Sequence, residues 1–228
     1  MLAGIDEKEN LARMQRGELY YAFSPGLVAA RRRCSRIVRQ LNRAGELSRR
    51  ELAEYWKEIT NDPNPLPLPL PAQNSSADEE EQEEDTLLHA YPWIERPINI
   101  DYGTNLKVGS GVFINFNCTF IDTCTITIGA RTLIGPNVCF FSGTHPLDPD
   151  LRCGTQGPES GKPVTIGEDC WIAGNVVVLP GDVPPYHVVA GNPASIIRKI
   201  ERGSMAKPHI GVENPGAEVE KDIPSSRS

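Results

Sequence analysis

Apolar residues recur at every sixth position through much of residues 98–200, and small or polar residues follow most of them, as in VGSGVF, IGPNVC and TIGEDC. A hexad that repeats three times per turn is typical of a β-solenoid, in which the sixth residue points inward and Gly or Asn forms the corner. A sandwich of short strands would instead alternate with period two and turn every 8–12 residues. The inward positions of the predicted coils are Val108, Ile114, Phe120, Ile128, Ile134, Phe140, Ile166, Ile172 and Val178.

The first sixty residues show helical periodicity instead. One stripe of apolar residues at spacings of three and four runs from Leu27 to Leu41, and the pattern stops at Gly45. A new helix begins at Ser48, where Glu51 three residues later completes a capping box. Residues 1–60 are therefore predicted to form a helical cap domain. The basic run 31–33 is either a solvated helix face or a phosphate contact.

Two segments are predicted to lack a packed structure. Residues 61–91 combine the alternation PNPLPLPLP, which favours an extended polyproline-like spacer, with a block of acids that cannot bury enough apolar surface to order itself. We interpret this segment as a disordered linker between the cap and a solenoid domain over residues 92–200. Residues 201–228 are rich in Ser, Pro, Gly and charge and are predicted to be a disordered tail.

Charge and composition exclude several function classes. Lys and Arg number 23 against 30 Asp and Glu, and the seven acids between positions 78 and 85 account for the whole net charge of −7. A chain without a basic excess is not expected to bind nucleic acid. No apolar run reaches the ~18–20 residues of a membrane span, and acids stand where a secretory signal would be apolar, so we expect a cytoplasmic protein without a membrane partner. The six cysteines contain no C-x-x-C pair and are expected to be reduced core residues.

The order of motifs resembles the hexapeptide-repeat acyltransferases, and in particular the maltose, galactoside and nodulation-factor O-acetyltransferases. The resemblance rests on MQRGELYYAFSPGLVAARRRC in the cap, on DYGTNLKVGSGVFINFNCTFID, on SGTHPLDP and on VVAGNPASIIRKI. It covers about residues 10–60 and 92–200, on either side of the proline-rich and acidic insertion. It implies a mainly β protein, a left-handed parallel β-helix with an N-terminal α-helical cap. It also implies acetyl-CoA as the acyl donor, a sugar or similar small hydroxylated acceptor, and a homotrimer with its groove between subunits.

Acetyl transfer from a thioester to a hydroxyl needs a base, donors for the oxyanion and a groove that aligns donor and acceptor. His145 opens a non-repeat loop, 142–163, that leaves the solenoid, and histidine is the side chain suited to base catalysis near neutral pH. The resemblance makes His145 the catalytic base, in a site shared with the WIAG segment of a neighbouring chain. A surface-loop histidine is the alternative interpretation.

Polar residues at solenoid corners are candidates for the acceptor site. By resemblance, Asn115 helps to hold the acceptor or to stabilise the transition state, while Asp122 and Asp101 contact the sugar. Carboxylates and amides suit a polyhydroxylated ligand because each buried polar group needs a partner. Asn and Asp are also common corner residues, so a purely structural role for each stays open.

The donor site is predicted from the WIAG segment and the C-terminus of the solenoid. By resemblance, the backbone at Trp171, Ala173 and Gly174 lies along the pantetheine arm, although these residues could simply form a solenoid coil. Ala173 stands where Gly is usual. Arg198 and Lys199 are the candidate phosphate contacts of coenzyme A.

Three departures from the family pattern bear on activity. About one 18-residue coil, which carries contacts to the coenzyme A nucleotide, is missing where Gly181 runs straight into Asp182. Ser195 follows GNPA, where the family usually has Arg. In the cap, Tyr21-Ala22 stands near the position where relatives often have a substrate-binding Asp. Because each coil of a solenoid contacts only its neighbours, one coil can be deleted without unfolding the rest.

Two function hypotheses follow: an active O-acetyltransferase, or a catalytically impaired homologue that serves as an oligomeric scaffold or subunit. A zinc enzyme on the same kind of helix needs three imidazole ligands, and the predicted solenoid offers only His145 and His187. No metal is therefore expected.

Overall fold

The computed structural model describes residues 4–69, 77–201 and 203 of the 228-residue chain. Part of the predicted linker, 70–76, and nearly all of the predicted tail, 204–228, lie outside the described residues. The cap consists of helices α1 (Glu7–Arg16), α2 (Pro25–Arg43) and α3 (Arg49–Thr60). The predicted capping box is confirmed: the side chain of Ser48 accepts from the backbone N–H of Glu51, and the Glu51 carboxylate accepts from that of Ser48.

The apolar stripe of α2 packs against both α3 and the first coil of the solenoid. Leu27 joins a small cluster with Met14, while Cys34, Ile37, Val38 and Leu41 belong to the main hydrophobic core. The arginines of the basic run on this helix have different surroundings. Arg32 is exposed, whereas Arg33 donates to the carbonyl oxygens of Glu58 and Ile59 at the end of α3. Arg33 thus satisfies two of the carbonyls that a helix C-terminus leaves unpaired.

The acidic block differs from the expectation of disorder, since residues Ala77–Leu87 form helix α4. Cations of α3 provide the physical reason: Arg50 pairs with Glu84 at 2.5 Å, and Arg49 lies 3.5 Å from Asp85. Residues 63–69 of the proline-rich stretch have no regular secondary structure.

Apart from a two-stranded hairpin in a loop, the strands that follow build three sheets. The first sheet runs in the order β1 (Trp93–Ile94), β4 (Phe113–Ile114), β7 (Leu133–Ile134), β12 (Trp171–Ile172), β15 (His187–Ala190) and β16 (Ser195–Lys199). The second sheet contains β2 (Ile98–Ile100), β5 (Cys118–Ile121), β8 (Cys139–Phe141) and β13 (Val177–Val178). The third sheet contains β3 (Leu106–Val108), β6 (Ile126–Ile128), β11 (Val164–Ile166) and β14 (Gly181–Val183).

Successive strands visit the three sheets in turn, and all neighbouring strands within a sheet are parallel except β15 and β16. The chain therefore winds as a parallel β-helix with three sides, as the hexad repeat predicts. A loop interrupts the third coil and contains β9 (Gly143–Thr144), α5 (Pro149–Arg152), a 3₁₀ turn (Gly154–Gln156) and β10 (Ser160–Gly161).

The inward hexad residues form the core. In the second sheet the rings of Phe120 and Phe140 stack with centroids 5.0 Å apart. Corners between the first and second sheets carry asparagines in the left-handed region, with φ near 60° at Asn117, Asn137 and Asn175. Asparagine adopts this conformation more readily than most residues.

The cysteines are all free thiols, and four of them are buried. Cys153 departs from the expected core role, because it is exposed at the end of α5. This short helix lies in the non-repeat loop, where the hexad pattern does not place apolar residues inward. None of the described helices combines the length and apolarity that a membrane crossing requires.

The solenoid closes in register despite its short C-terminal part. Strand β14 follows β13 after two residues and pairs with β11, with Gly181 opposite Val164. Strand β15 then rejoins the first sheet on β12, and β16 folds back antiparallel on β15. The coil that the family pattern would add is thus absent without any break in the three-sided winding.

Candidate active site

The predicted site residues fall into two groups on this three-sided body. Asp101, Asp122 and the loop that carries His145 follow strands of the second sheet, so they lie at the edge between the second and third sheets, here called the loop edge. Trp171 lies in the first sheet, and Asn115 and Ala173 directly follow strands of that sheet. In a three-sided coil the loop edge is opposite the first sheet.

His145 directly follows β9 at the base of the loop. Its side chain is exposed, and among the described residues its ring makes no hydrogen bond. Strand β9 pairs antiparallel with β10, with Gly143 opposite Gly161, so the two ends of the loop are joined where it leaves the solenoid. The imidazole is therefore exposed on a loop whose two ends are held together by the β9–β10 pairing.

The loop is tied to the cap by residues that the sequence analysis did not single out. Tyr20 and Glu159 exchange two backbone hydrogen bonds of 2.9 and 2.8 Å, and the Tyr20 hydroxyl donates to Glu159 Oε2 at 3.2 Å. Burial raises the pKa of the Tyr20 hydroxyl far above its usual range, and the nearby Glu159 adds to this shift. Tyr20 lies in the cap motif MQRGELYYAFSPGLVAARRRC, but no spacing rule connects it with Glu159.

A second cap residue, Arg31, also reaches this edge. It is the first residue of the basic run 31–33, for which the sequence left open a solvated helix face or a phosphate contact, and its guanidinium instead contacts groups of the protein. Its guanidinium lies 5.5 Å from the ring centroid of Phe23 and 5.4 Å from that of Tyr102, and it donates to the Tyr102 hydroxyl and to the Ala22 carbonyl. Burial raises the pKa of Tyr102 to about 12, and the positive charge of Arg31 opposes that shift. Arg31 is thus held by cation–π contacts on both rings.

The two aspartates of the loop edge differ in exposure. The Asp122 side chain is fully buried; Oδ1 accepts from the backbone N–H of Tyr102 at 2.8 Å and Oδ2 from that of Asn105 at 3.3 Å. Burial raises its pKa to about 7. Direct contact with an acceptor would require residues 102–105 to move, so this geometry favours the corner role that the sequence left open. Asp101 is half-buried, and burial also raises its pKa.

Asn115 stands at the edge between the first and second sheets. Its Oδ1 accepts from the backbone N–H of Phe116 at 2.8 Å, which leaves the amide NH₂ group to donate. Its own N–H donates to Ile134 O, and the next coils repeat this bond from Gly135 to Ile172 and from Ala173 to Val189. Asn115 and Ala173 therefore lie on one edge, two strand spacings or ~10 Å apart.

The outer face of the first sheet carries an apolar column. Trp93, Phe113, Leu133 and Trp171 are paired in register across neighbouring strands, and each is followed by an isoleucine that points into the core. Their side chains are half-buried or, for Leu133, 51% exposed. This set is named the outward column below. Gly174 is exposed at the corner that follows it.

The two candidate phosphate contacts lie on β16 and are both exposed. Arg198 is opposite Val188, which is itself opposite Trp171, whereas Lys199 is opposite His187. Because neighbouring residues of a strand point to opposite faces, Arg198 shares the face of the outward column and Lys199 does not. Ser195 is opposite Ala190 at the far end of this strand.

Among the described residues no group of three or more His, Cys, Asp or Glu side chains is placed to hold a metal ion. The groups that the geometry does bring together are an exposed imidazole with polar residues at the loop edge, and an amide beside an apolar column on the first sheet.

Comparison with known proteins identifies relatives of this chain. Residues 13–59 match the maltose acetyltransferase hexapeptide capping motif. The chain is 37% identical over 125 residues to the galactoside O-acetyltransferase of Escherichia coli K12, which covers 47% of this chain and 61% of that protein. It spans 60–65% of the length of the curated relatives named first among its matches.

Solved structures extend the likeness to almost their full length. A maltose O-acetyltransferase from Clostridium difficile 630 is 30% identical, with a TM-score of 0.65, 84% of this chain covered and 97% of that one. A hexapeptide-repeat acetyltransferase from Vibrio cholerae, crystallised with acetyl-CoA, is 25% identical, with a TM-score of 0.60 and coverage of 84% and 98%. With its cap motif and its β-helix, the chain belongs to the maltose, galactoside and nodulation-factor O-acetyltransferase family of hexapeptide-repeat proteins.

Proposed function

We propose that this protein is an acetyl-CoA-dependent O-acetyltransferase that acts on a sugar or a similar small hydroxylated acceptor. The observation that supports this most is the separation of two complementary half-sites. His145 and the polar loop edge suit deprotonation and acceptor binding, whereas Asn115 and the outward column suit an acyl thioester. The acetyl-CoA and coenzyme A complexes of the relatives support the choice of donor.

The proposed chemistry needs no covalent enzyme intermediate. A ring nitrogen of His145 accepts the proton of the acceptor hydroxyl as its oxygen attacks the thioester carbonyl carbon. The NH₂ group of Asn115 donates to the developing oxyanion. The carbon–sulfur bond then breaks, and the imidazolium returns the proton to the leaving sulfur. The acetyl ester and the free thiol are the products.

The acceptor half-site is proposed to take hydroxyl groups. Asp101 supplies a half-buried carboxylate, and Glu159 with Arg31 supplies an acceptor and a donor at the junction of cap and loop. Polyhydroxylated ligands need such a mixture because each hydroxyl both donates and accepts. Asp122 supports the site indirectly, by fixing the backbone that follows Asp101.

Because the half-sites lie on opposite sides of one chain, the proposed enzyme is a homotrimer in which His145 of one subunit faces Asn115 and Trp171 of the next. A closed ring of heterologous contacts places every half-site against its complement. We propose a cytoplasmic location for this assembly. A monomeric mass by light scattering at the assay concentration would contradict the shared site.

The direct test is thiol release from acetyl-CoA by the purified protein across glucose, maltose and galactosides. His145→Ala is expected to lower kcat by about 10²–10⁴-fold, the usual contribution of a general base. His187→Ala, which removes the other solenoid imidazole, is the matched control and is expected to keep turnover. A folded trimer without turnover on any acceptor would instead favour the impaired scaffold. The absent coil and Ser195 would then explain the loss, because both lie where the family pattern contacts coenzyme A.

A complementation experiment tests the shared site itself. His145→Ala disables the loop edge, and Trp171→Ala disables the outward column. When the two variants are co-expressed, random assortment pairs an intact loop edge with an intact column at about a quarter of the sites. Activity near that fraction of wild type is expected. If each chain held its own complete site, mixing the variants would restore nothing.

A further inference from the structure

Ser142 lies where the loop that carries His145 leaves the solenoid, and its side chain is fully buried. The hydroxyl oxygen accepts from the backbone N–H of Cys124 at 2.9 Å. The hydroxyl hydrogen has two carbonyl oxygens within reach, Ile121 O at 2.9 Å and Cys124 O at 3.0 Å, and is donated to one of them. This side chain thus binds the start of the loop to segment 121–124 of the preceding coil.

The backbone of Ser142 joins both ends of the loop to the same place. Its N–H donates to Ile121 O at 3.1 Å, and its carbonyl oxygen accepts from the N–H of Lys162 at 2.9 Å. We call residues 142–143 and 161–162 the loop root. Both halves of the root are therefore held by hydrogen bonds that converge on one serine.

Close packing also holds the loop root against segment 121–124. A Cβ at Gly143 would lie 2.8 Å from Thr123 Oγ1, and one at Gly161 would lie 2.8 Å from Cys124 Sγ. These two glycines pair across the root, and neither has room for a side chain. The root thus has little space to shift while its hydrogen bonds are intact.

Segment 121–124 belongs to the acceptor side of the proposed site. It carries Asp122, whose carboxylate fixes the backbone that follows Asp101. His145 comes three residues after Ser142, and its ring makes no hydrogen bond to the described residues. The position of the imidazole relative to the acceptor is therefore set by the loop root.

A second buried hydroxyl offers a comparison within the same chain. Thr132 Oγ1 accepts from the backbone N–H of Cys170 at 3.2 Å and donates to Gly167 O at 2.9 Å. Like Ser142, it is fully buried and joins two neighbouring coils. Thr132 lies between the third and first sheets, away from the loop, so it has the same structural task without the connection to His145.

We propose that Ser142 is a positioning residue for acetyl transfer, whose hydroxyl holds the loop root so that His145 meets the acceptor hydroxyl. The inference rests on the proposed acetyltransferase function and adds a residue to its loop edge. A general base must lie within ~2.6–3.2 Å of the group that it deprotonates, and a misplacement of ~1 Å can lower the rate about 10²-fold. Without the hydroxyl, the buried N–H of Cys124 loses this partner, and the root relaxes.

The first test compares Ser142→Ala with Thr132→Val in the full-length protein, since each removes one such hydroxyl. Both variants are expected to lower Tm to a similar extent. Ser142→Ala should lower kcat by about 10–100-fold and leave KM for acetyl-CoA within about twofold, because the donor half-site lies on another sheet. Thr132→Val should keep kcat, and any effect through the adjacent outward column would fall on KM for acetyl-CoA. Equal losses of kcat in the two variants would overturn the proposal.

A double-mutant cycle with His145→Ala tests whether the hydroxyl acts through the imidazole. In that background Ser142→Ala should change the residual turnover by less than about twofold, because no base is left to position. A loss by the same factor in both backgrounds would mean that Ser142 acts only through the general stability of the fold.

Hydrogen exchange separates this inference from the function on which it rests. Ser142→Ala should speed exchange of the backbone amides of the loop root, Lys162 among them, by about tenfold or more, whereas Thr132→Val should not. Unchanged exchange at the root would overturn the proposal even where turnover is seen. Absence of thiol release by wild type with any acceptor would overturn the acetyltransferase and with it the catalytic role, while exchange would still decide whether Ser142 holds the loop.

Discussion

Tyr20 and Glu159 are 139 positions apart in the chain, yet the hydroxyl of one donates to the carboxylate of the other at 3.2 Å. Two backbone hydrogen bonds flank this contact, so the cap and the His145 loop share a short stretch of antiparallel pairing. The position of the loop, and with it that of the proposed base, therefore depends on the cap.

The hydroxyl of Tyr20 is expected to stabilise the fold measurably. Tyr20→Phe keeps the buried ring and removes one hydrogen bond to a carboxylate, so the free energy of unfolding should fall by ~1–2 kcal/mol in urea denaturation. Tyr21→Phe is the adjacent control, because no hydrogen bond of its hydroxyl joins it to the described residues, and it should change stability by less than ~0.5 kcal/mol. Equal losses in both variants would contradict this account.

Asp122 makes stability depend on pH. Its pKa is raised to about 7 by burial, against a usual value near 4, so the folded protein keeps a proton that the unfolded chain releases between these values. The contribution of this carboxyl is present below pH ~4 and is lost as pH rises to about 7, by up to ~1.4 kcal/mol per unit. Asp122→Asn, which cannot ionise, lacks that slope.

The measurement is urea unfolding of wild type and Asp122→Asn from pH 4.5 to 8 at one protein concentration. The stability of wild type relative to the variant should decline up to about pH 7 and level off above it. Parallel curves would show that Asp122 titrates normally in the folded protein.

Arg49 is the anchor for the segment that precedes the solenoid. Its buried guanidinium donates to the carbonyl oxygens of Leu88, Tyr91 and Pro92, between α4 and β1. The Leu88 oxygen also accepts from the backbone N–H of Tyr91, so Arg49→Ala removes the side-chain donor of the Tyr91 and Pro92 oxygens and should cost ~2–5 kcal/mol of unfolding free energy. Arg32→Ala, at an exposed position on α2, should cost less than ~0.5 kcal/mol. Thermal unfolding of both variants checks the contrast, and a small loss for Arg49→Ala would refute the anchoring role.

Local sequence rules predict the repeated coils of the solenoid and the start of helix α3. The hexad places Ile114, Ile134 and Ile172 inside because each coil repeats the last, and the capping box at Ser48 needs only four consecutive residues. Helix α4 escapes such rules, since its order depends on Arg49 and Arg50, which lie outside the acidic block. The composition of the acidic block alone therefore predicts disorder, because it does not include the two arginines of α3 that pair with the acids.

The candidate site shows the same division. The loop of His145 can be predicted because it interrupts the repeat, and the corner position of Asn115 because corners are periodic. The catalytic roles proposed for the two residues rest on the family resemblance. The contacts of Tyr20 and Arg31 with the loop edge join segments that no spacing relates. The outward column could have been found, because Trp93, Phe113, Leu133 and Trp171 each stand immediately before an inward isoleucine. That second apolar position is the sequence signal for an apolar outer face of the first sheet.

Arg198 and Lys199 are adjacent in sequence, but the strand presents them to opposite faces. Arg198 shares the face of Trp171 at two strand spacings, ~10 Å, within reach of the phosphates of a donor that lies on the outward column. Arg198→Ala should therefore raise KM for acetyl-CoA about tenfold with little change in kcat, and added salt should reduce the difference from wild type. Lys199→Ala should raise KM much less. Steady-state kinetics at two salt concentrations decide the matter, and equal effects of the two substitutions would mean that the donor phosphates do not lie on this face.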